Sequence, residues 1–256
     1  MPPKIEIAGD DHLRTLRNCG GYYECPKDKK GTRHGPLVGY AGKYKDDKGN
    51  DRQWVGEVYV NFAKAEIYPR VIKFFADCLT VNSFCSNNNG LFPTDFFCGA
   101  PIGGYSFADA LAFRSDIPVI KAEKKIVELA TPTSREKSQL VFGRHNIEAG
   151  KRYVIVEDVC NNFSTTSELI NLIINYGGRA VAIVCFLNRS ETIGSDYYLP
   201  LAKGCLCLPV VSVVQKVIKQ WKQDDPAVAE DVAKGNVVWK PKDEWPRLES
   251  AMAGMD

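Results

Sequence analysis

Short apolar runs alternate with amphipathic stretches along most of this chain, the pattern of strands covered on both faces and of the helices that cover them. The clearest instance reads YVIVEDVCNNFSTTSELINLIINYGGRAVAIVCFLNRS, residues 153–190. Residues 153–156 are apolar, rich in β-branched side chains and bounded by Gly150 and by acids, which predicts a buried parallel strand. Thr165 is placed to cap the next helix, with Glu168 three positions on completing a capping box. Leu169, Ile170, Leu172, Ile173 and Ile174 give that helix a buried side, and Gly177 and Gly178 end it. A second buried strand is predicted over 180–187, so the segment forms a βαβ crossover.

The same grammar recurs upstream. Residues 95–114, DFFCGAPIGGYSFADALAFR, predict a strand, a glycine-containing turn and a helix beginning near Ser106. Residues 119–121 predict the next strand, and 69–79 an amphipathic helix with Val71, Phe74, Phe75 and Cys78 on one side. Downstream, CLCLPVVSVV reads as a final buried strand, followed by a helix over 211–222 and a short helix over 227–234. Trp221, Trp239 and Trp245 in the tail need cover, which predicts a strap packed on its own domain in preference to a dimer partner. Near the amino terminus, residues 39–44 and 56–62 resemble strands, and the charged stretch 45–55 between them predicts a hairpin tip or loop.

The chemistry concentrates at strand ends. Glu157 and Asp158 leave the first strand of the βαβ unit, and residues 161–165 turn directly into a helix amino terminus, where unpaired N–H groups and the helix dipole favour an anion. Two adjacent carboxylates beside a phosphate cradle suit a ribose 5-phosphate, because vicinal hydroxyls can donate to the acids while the phosphate takes the amides. Taken singly, the acids could merely end a strand and the asparagines merely form a turn; the ordered combination favours the sugar-phosphate reading.

This ordered segment resembles the phosphoribosyl-diphosphate (PRPP) motif of type I phosphoribosyltransferases. The resemblance extends in order over roughly residues 55 to 215 and implies an α/β fold, with an open, mainly parallel twisted sheet, helices on both faces and a small amino-terminal hood. It maps the acidic pair onto Glu157 and Asp158 and the phosphate loop onto Asn161, Asn162, Phe163, Ser164 and Thr165. The loop departs from the family pattern: Asn161 and Asn162 stand where Thr is usual, and Phe163 where Gly is usual, putting a Cβ at a place suited to positive φ. The turn that meets the diphosphate maps onto Gly99, Ala100, Pro101, Ile102, Gly103, Gly104 and Tyr105, with Gly103 where several members carry Lys. Lys121 and Lys124 match the family's Lys-x-x-Lys signature at the root of a mobile loop, with 128–139 as a lid. Their charge would stabilise the departing diphosphate. The His usual after them is missing, and His145 reads as a surface residue. Residues 186–191, FLNRSE, resemble the strand ending of orotate phosphoribosyltransferases and make Arg189 the base-binding candidate, its planar fork suiting carbonyl and carboxylate oxygens. The hood contributes Lys43 and Phe62 as weaker candidates, while Tyr59 reads as a half-buried strand aromatic.

The implied reaction transfers a 5-phosphoribosyl group from PRPP to a pyrimidine base, orotate first, with Mg²⁺ held mainly through PRPP and a homodimer as the assembly. The alternatives are another base, or a non-catalytic member of the fold that binds a nucleotide or ribose phosphate.

Composition narrows the remaining classes. The 256-residue chain is 45% hydrophobic and carries a net charge of +2, ordinary for a globular protein and without support for nucleic acid as a partner. No apolar run suggests a membrane span or secretory signal, and the nine cysteines read as reduced, mostly buried thiols, all of which predicts a cytoplasmic protein. Cys19, Cys25 and His34 lack zinc-ligand spacing, and no metal-binding set is expected. Cys160 reads as an inert loop thiol, and neither a Walker A pattern nor a dinucleotide fingerprint is present. With no repeat or low-complexity linker, the expectation is one domain with decorations: a hood over 1–62 carrying an insertion near 45–55, a core over 63–222 and a strap over 223–256.

Overall fold

The computed structural model describes residues 5–83, 93–128, 137–202 and 204–253. Its chain forms two compact units, residues 68–216 and a second unit made of residues 1–67 together with 217–256. In chain order, the second unit begins with α1 (His12–Asn18), β1 (Tyr22–Glu24), β2 (Leu37–Lys45), β3 (Asp51–Gly56), β4 (Val58–Val60) and α2 (Ala63–Glu66). The central unit then supplies α3 (Pro69–Ser83), β5 (Phe96–Gly99), α4 (Tyr105–Ser115), β6 (Val119–Lys121), β7 (Glu123–Glu128), β8 (Lys137–Val141), β9 (Arg152–Cys160), α5 (Ser164–Asn175), β10 (Arg179–Asn188), β11 (Asp196–Leu201) and β12 (Gly204–Gln215). β13 (Gln220–Trp221), α6 (Ala229–Ala233), β14 (Val237–Val238) and α7 (Trp245–Ala253) return to the second unit.

In that unit, β2 and β3 form a hairpin whose tip lies in the charged stretch flagged by the sequence, and β13 and β14 add to its two edges. The tail's aromatics are covered here. Trp245 and Leu248 pack with Tyr23, Val38 and Tyr40, while Trp221 and Val228 pack with Leu37 and Val55. The predicted helix over 211–222 does not form. Val210, Val211 and Val214 instead pair in register with Ile183, Val184 and Leu187 of β10, because their branched side chains fit a pleated surface better than a helix.

The central unit is α/β, built on a six-stranded sheet of order β11-β12-β10-β9-β5-β6. Every pair in it is parallel except β11 with β12. Alternation along the strands sends side chains to two covered faces. Ile155, Ile183 and Cys185 face a core shared with Leu169, Ile170 and Ile173 of α5. The ring of Phe186, one position on, packs 4.4 Å from that of Phe75 in α3, an aromatic contact contributing about 1 kcal/mol beyond its area. Helices therefore cover both faces. Cys98 and Cys185 are buried as expected, but Cys205 and Cys207 are exposed, since they lie where β12 runs out beside the edge strand β11.

Connectivity marks one place on this sheet. From β5 the chain goes through α4 to β6 on one side; from β9 it goes through α5 to β10 on the other. β5 and β9 are neighbours, so the winding direction reverses between them, the position at which open α/β sheets bind ligands beyond the carboxyl ends of their strands.

Candidate functional site

Three strands deliver their carboxyl ends to that reversal in register. Gly99 of β5 pairs with Lys121 of β6 on one side and with Val156 of β9 on the other. The next residues of β9 are Glu157 and Asp158, and the strand runs on to Cys160, so the acids lie within its last turn-ward residues and not beyond its end.

The turn after β5 packs directly against this strand. Ala100 N–H donates to the Val156 carbonyl at 2.9 Å, Gly104 N–H to Ala100 at 3.1 Å and Tyr105 N–H to Ile102 at 3.2 Å. The peptide between Pro101 and Ile102 is cis. Gly103 and Gly104 are both closely approached by β9. A Cβ on Gly103 would collide with both oxygens of the Asp158 carboxylate, and one on Gly104 with the Val156 carbonyl. Asp158 thus projects over the glycine turn, and its Oδ1 accepts from the Val159 N–H at 2.8 Å. Glu157 lies deeper, 8% exposed. Burial, first, and then the charge of Asp158 push its carboxyl well above the usual carboxylate range, while Lys124 pulls it down.

The phosphate loop differs from the predicted capping scheme. α5 starts at Ser164, two residues earlier than a Thr165 cap allows, and the residue before it, Phe163, has φ +56° with no side-chain cap. Asn162 fills that role in part: its Oδ1 accepts from the Ser164 N–H at 3.2 Å and from Ser164 Oγ at 3.0 Å. Glu168, expected to close a capping box, instead accepts the Leu140 N–H of β8 at 2.8 Å, because β8 lies beside α5. The Phe163 ring turns into the core, 3% exposed, and stacks on Tyr197 of β11 at 5.1 Å and 13°.

Lys121 ends β6, and its Nζ pairs with Asp109 of α4 at 2.7 Å and lies 5.5 Å from the centre of the Tyr105 ring. Tyr105 Oη donates to the Ala122 carbonyl. Lys124 stands exposed on β7, which pairs antiparallel with β8. The predicted polar lid over 128–139 is therefore rooted in a two-stranded ribbon, and its residues 129–136 lie outside the described residues.

His145, read from the sequence as a surface residue, is partly exposed. The β7–β8 ribbon returns the chain to β6, and His145 Nδ1 accepts the Lys121 N–H at 3.4 Å. Asp109 and Tyr197 were missed altogether, and no local signal marks them, since both meet their partners through tertiary contacts.

Arg189 is 5% exposed, which rules out a plain surface arginine; its N–H donates to the Cys160 carbonyl at 2.9 Å at the end of β9. Lys43 and Phe62 belong to the other unit. There Lys43 Nζ lies 3.6 Å from Asp51, and Phe62 is buried at 1% exposure. Among the described residues no group of three or more His, Cys, Asp or Glu side chains has metal-holding geometry, and no helix is long and apolar enough to cross a membrane.

In sequence the chain is 27% identical over 129 residues, 48% of this chain and 74% of the relative, to an adenine phosphoribosyltransferase from Ruminiclostridium cellulolyticum. The chain is phosphoribosyltransferase-like in sequence. No protein-family model matches it. Solved structures similar to it include orotate phosphoribosyltransferase from Aeropyrum pernix, with a TM-score of 0.45, 19% identity and coverage of 69% of this chain and 87% of that one. Adenine phosphoribosyltransferase from Thermoanaerobacter pseudethanolicus gives a TM-score of 0.43 and 13% identity, covering 68% of this chain and 94% of that one.

Proposed function

We propose that the chain transfers a 5-phosphoribosyl group from PRPP to a nitrogen base, releasing diphosphate. The observation that carries the reading is the packing of the Asp158 carboxylate against Gly103, which brings the acidic pair onto the anion-accepting turn after β5 where the sheet reverses its winding, with the second turn following β9 directly in the chain. In this reading the carboxylates of Glu157 and Asp158 accept the ribose hydroxyls and stabilise the positive charge that develops as the C1–O bond to diphosphate breaks. Residues 161–165 hold the 5′-phosphate on the first turn of α5. The backbone of residues 99–105 meets the diphosphate, and Lys121 and Lys124 neutralise it. Lys121 reaches it by exchanging Asp109 for the incoming anion. The carboxylate pair also fits a Mg²⁺ bound chiefly through the substrate's oxygens, the ion supplying further neutralisation of the diphosphate.

Orotate is the base we infer, because FLNRSE resembles the strand ending of orotate enzymes and Arg189 supplies a planar fork for oxygens. Adenine is the second reading, favoured by the name of the relative matched over 129 residues. A homodimer is part of the same proposal. The test is to incubate the protein with PRPP, Mg²⁺ and a panel of bases and measure diphosphate. Release with orotate supports the first reading and release with adenine the second. Binding of PRPP without release on any base would mark a non-catalytic sugar-phosphate binder.

A further inference from the structure

Two non-glycine residues described in the chain have positive φ, Asp116 at +55° and Phe163 at +56°. Asp116 caps α4, and a short polar side chain tolerates that conformation. Phe163 is bulky, has no local polar group to favour the left-handed region, and stands immediately before the helix turn that the reading above assigns to the 5′-phosphate. Something outside the loop must select this conformation. Its ring stacks parallel on that of Tyr197, at 5.1 Å between centroids and 13° between planes. Both rings belong to the core under α5, with Leu169 and Leu199 in the same cluster. Phe163 O accepts the Ser167 N–H at 2.8 Å, so the residue held by the stack also opens the hydrogen-bond ladder of α5.

We propose that Phe163 is a positioning residue for the phosphate loop: clamped on Tyr197, its ring holds the left-handed backbone that aims the first amides of α5 at the sugar phosphate. A glycine would reach this conformation by itself; here an aromatic stack between a loop and an edge strand does the selecting. The clamp places a residue of β11, more than thirty positions along the chain, in control of phosphate affinity. It touches no reacting atom, so its effect falls on binding and not on the chemical step.

The inference rests on the proposed ribose-phosphate site, and the experiment separates the two. Ribose 5-phosphate is titrated into wild type, Tyr197→Phe, Tyr197→Leu and the double variant Tyr197→Leu/Phe163→Gly by calorimetry, with thermal melts recorded for each. Tyr197→Phe keeps the stack and should bind like wild type. Tyr197→Leu fills the space but releases the ring; its Kd should rise about tenfold, the scale of the left-handed penalty. With PRPP, KM should rise similarly while kcat stays within about twofold. Adding Phe163→Gly should recover most of the loss despite lower thermal stability, a result that simple core damage would not produce. Wild-type binding with unchanged affinity in Tyr197→Leu, or no recovery in the double variant, overturns the clamp while leaving the site intact. Absence of wild-type binding overturns both.

Discussion

Gly103 leaves no room for a side chain because the carboxylate of Asp158 occupies the space: an added Cβ would lie 2.7 Å from Oδ1 and closer still to Oδ2. The obstacle is the end of a side chain, so Gly103→Ala should fold by displacing Asp158, with a stability change of about 1 kcal/mol or less and a loss of PRPP affinity of at least about tenfold. Gly104→Ala meets the backbone carbonyl of Val156, which cannot swing away. Its cost should appear as stability, about 1–3 kcal/mol in urea unfolding. Equal effects of the two changes on PRPP binding and on unfolding would contradict this division.

Glu157 provides a pH signature. Its folded carboxyl titrates above the reference value of 4.5, raised by burial and by Asp158. The folded state therefore holds a proton that the unfolded chain gives up, and this contribution is complete below pH 4.5 and is lost as pH rises through the folded value. Unfolding free energy of the ligand-free protein should fall over that interval with a slope of up to about 1.4 kcal/mol per pH unit from this group. Glu157→Gln should remove that slope and be the more stable protein at neutral pH, while losing transferase activity. A variant with the same pH dependence as wild type would sink the assignment.

Asp95 behaves in the opposite sense. Both its oxygens accept from the Arg152 guanidinium at 3.0 Å, and Oδ2 also takes the Arg152 N–H at 2.8 Å, tying the chain entering β5 to the start of β9. Arg152 lowers the Asp95 carboxyl to about 2. The tie is fully present above pH 3.8 and disappears as pH falls through about 2. Asp95→Asn should lose about 1 kcal/mol at pH 7 and almost nothing at pH 2, read by calorimetric melts at the two pH values.

Lys121 is held by Asp109 at 2.7 Å before any anion arrives. Releasing it should help the substrate: Asp109→Asn is expected to lower KM for PRPP by a few fold, and Lys121→Met to raise it by about tenfold with the fold intact. If Asp109→Asn weakens PRPP binding, the carboxylate positions the lysine and does not compete with the diphosphate.

Much of the fold was legible because its signals are local. The apolar runs that became β9 and β10, the stripe of leucines and isoleucines on α5, and Gly177 at φ +82° after its last turn all follow from short-range rules. The tail was misread where local and tertiary preferences conflict: residues 211–215 could be periodic as a helix, but pairing with β10 makes them a strand. At the site, the acids and glycine turns could be found from residue type and spacing. The approach of His145 to Lys121 could not, because the β7–β8 ribbon brings the two together across 24 positions. Nor could the consequence of Phe163, whose Cβ in a glycine position looks like an obstruction until Tyr197 is seen to hold its ring in the core.

The central claim is that Asp158 and the two turns beside it form a PRPP site. Calorimetric titration of PRPP with Mg²⁺ into wild type and into Asp158→Asn tests it most directly. Saturable one-site binding to wild type, weakened at least about tenfold in a variant with an unchanged melt, is the predicted result. Wild type that takes up no PRPP, or a variant that binds it equally well, would contradict the account.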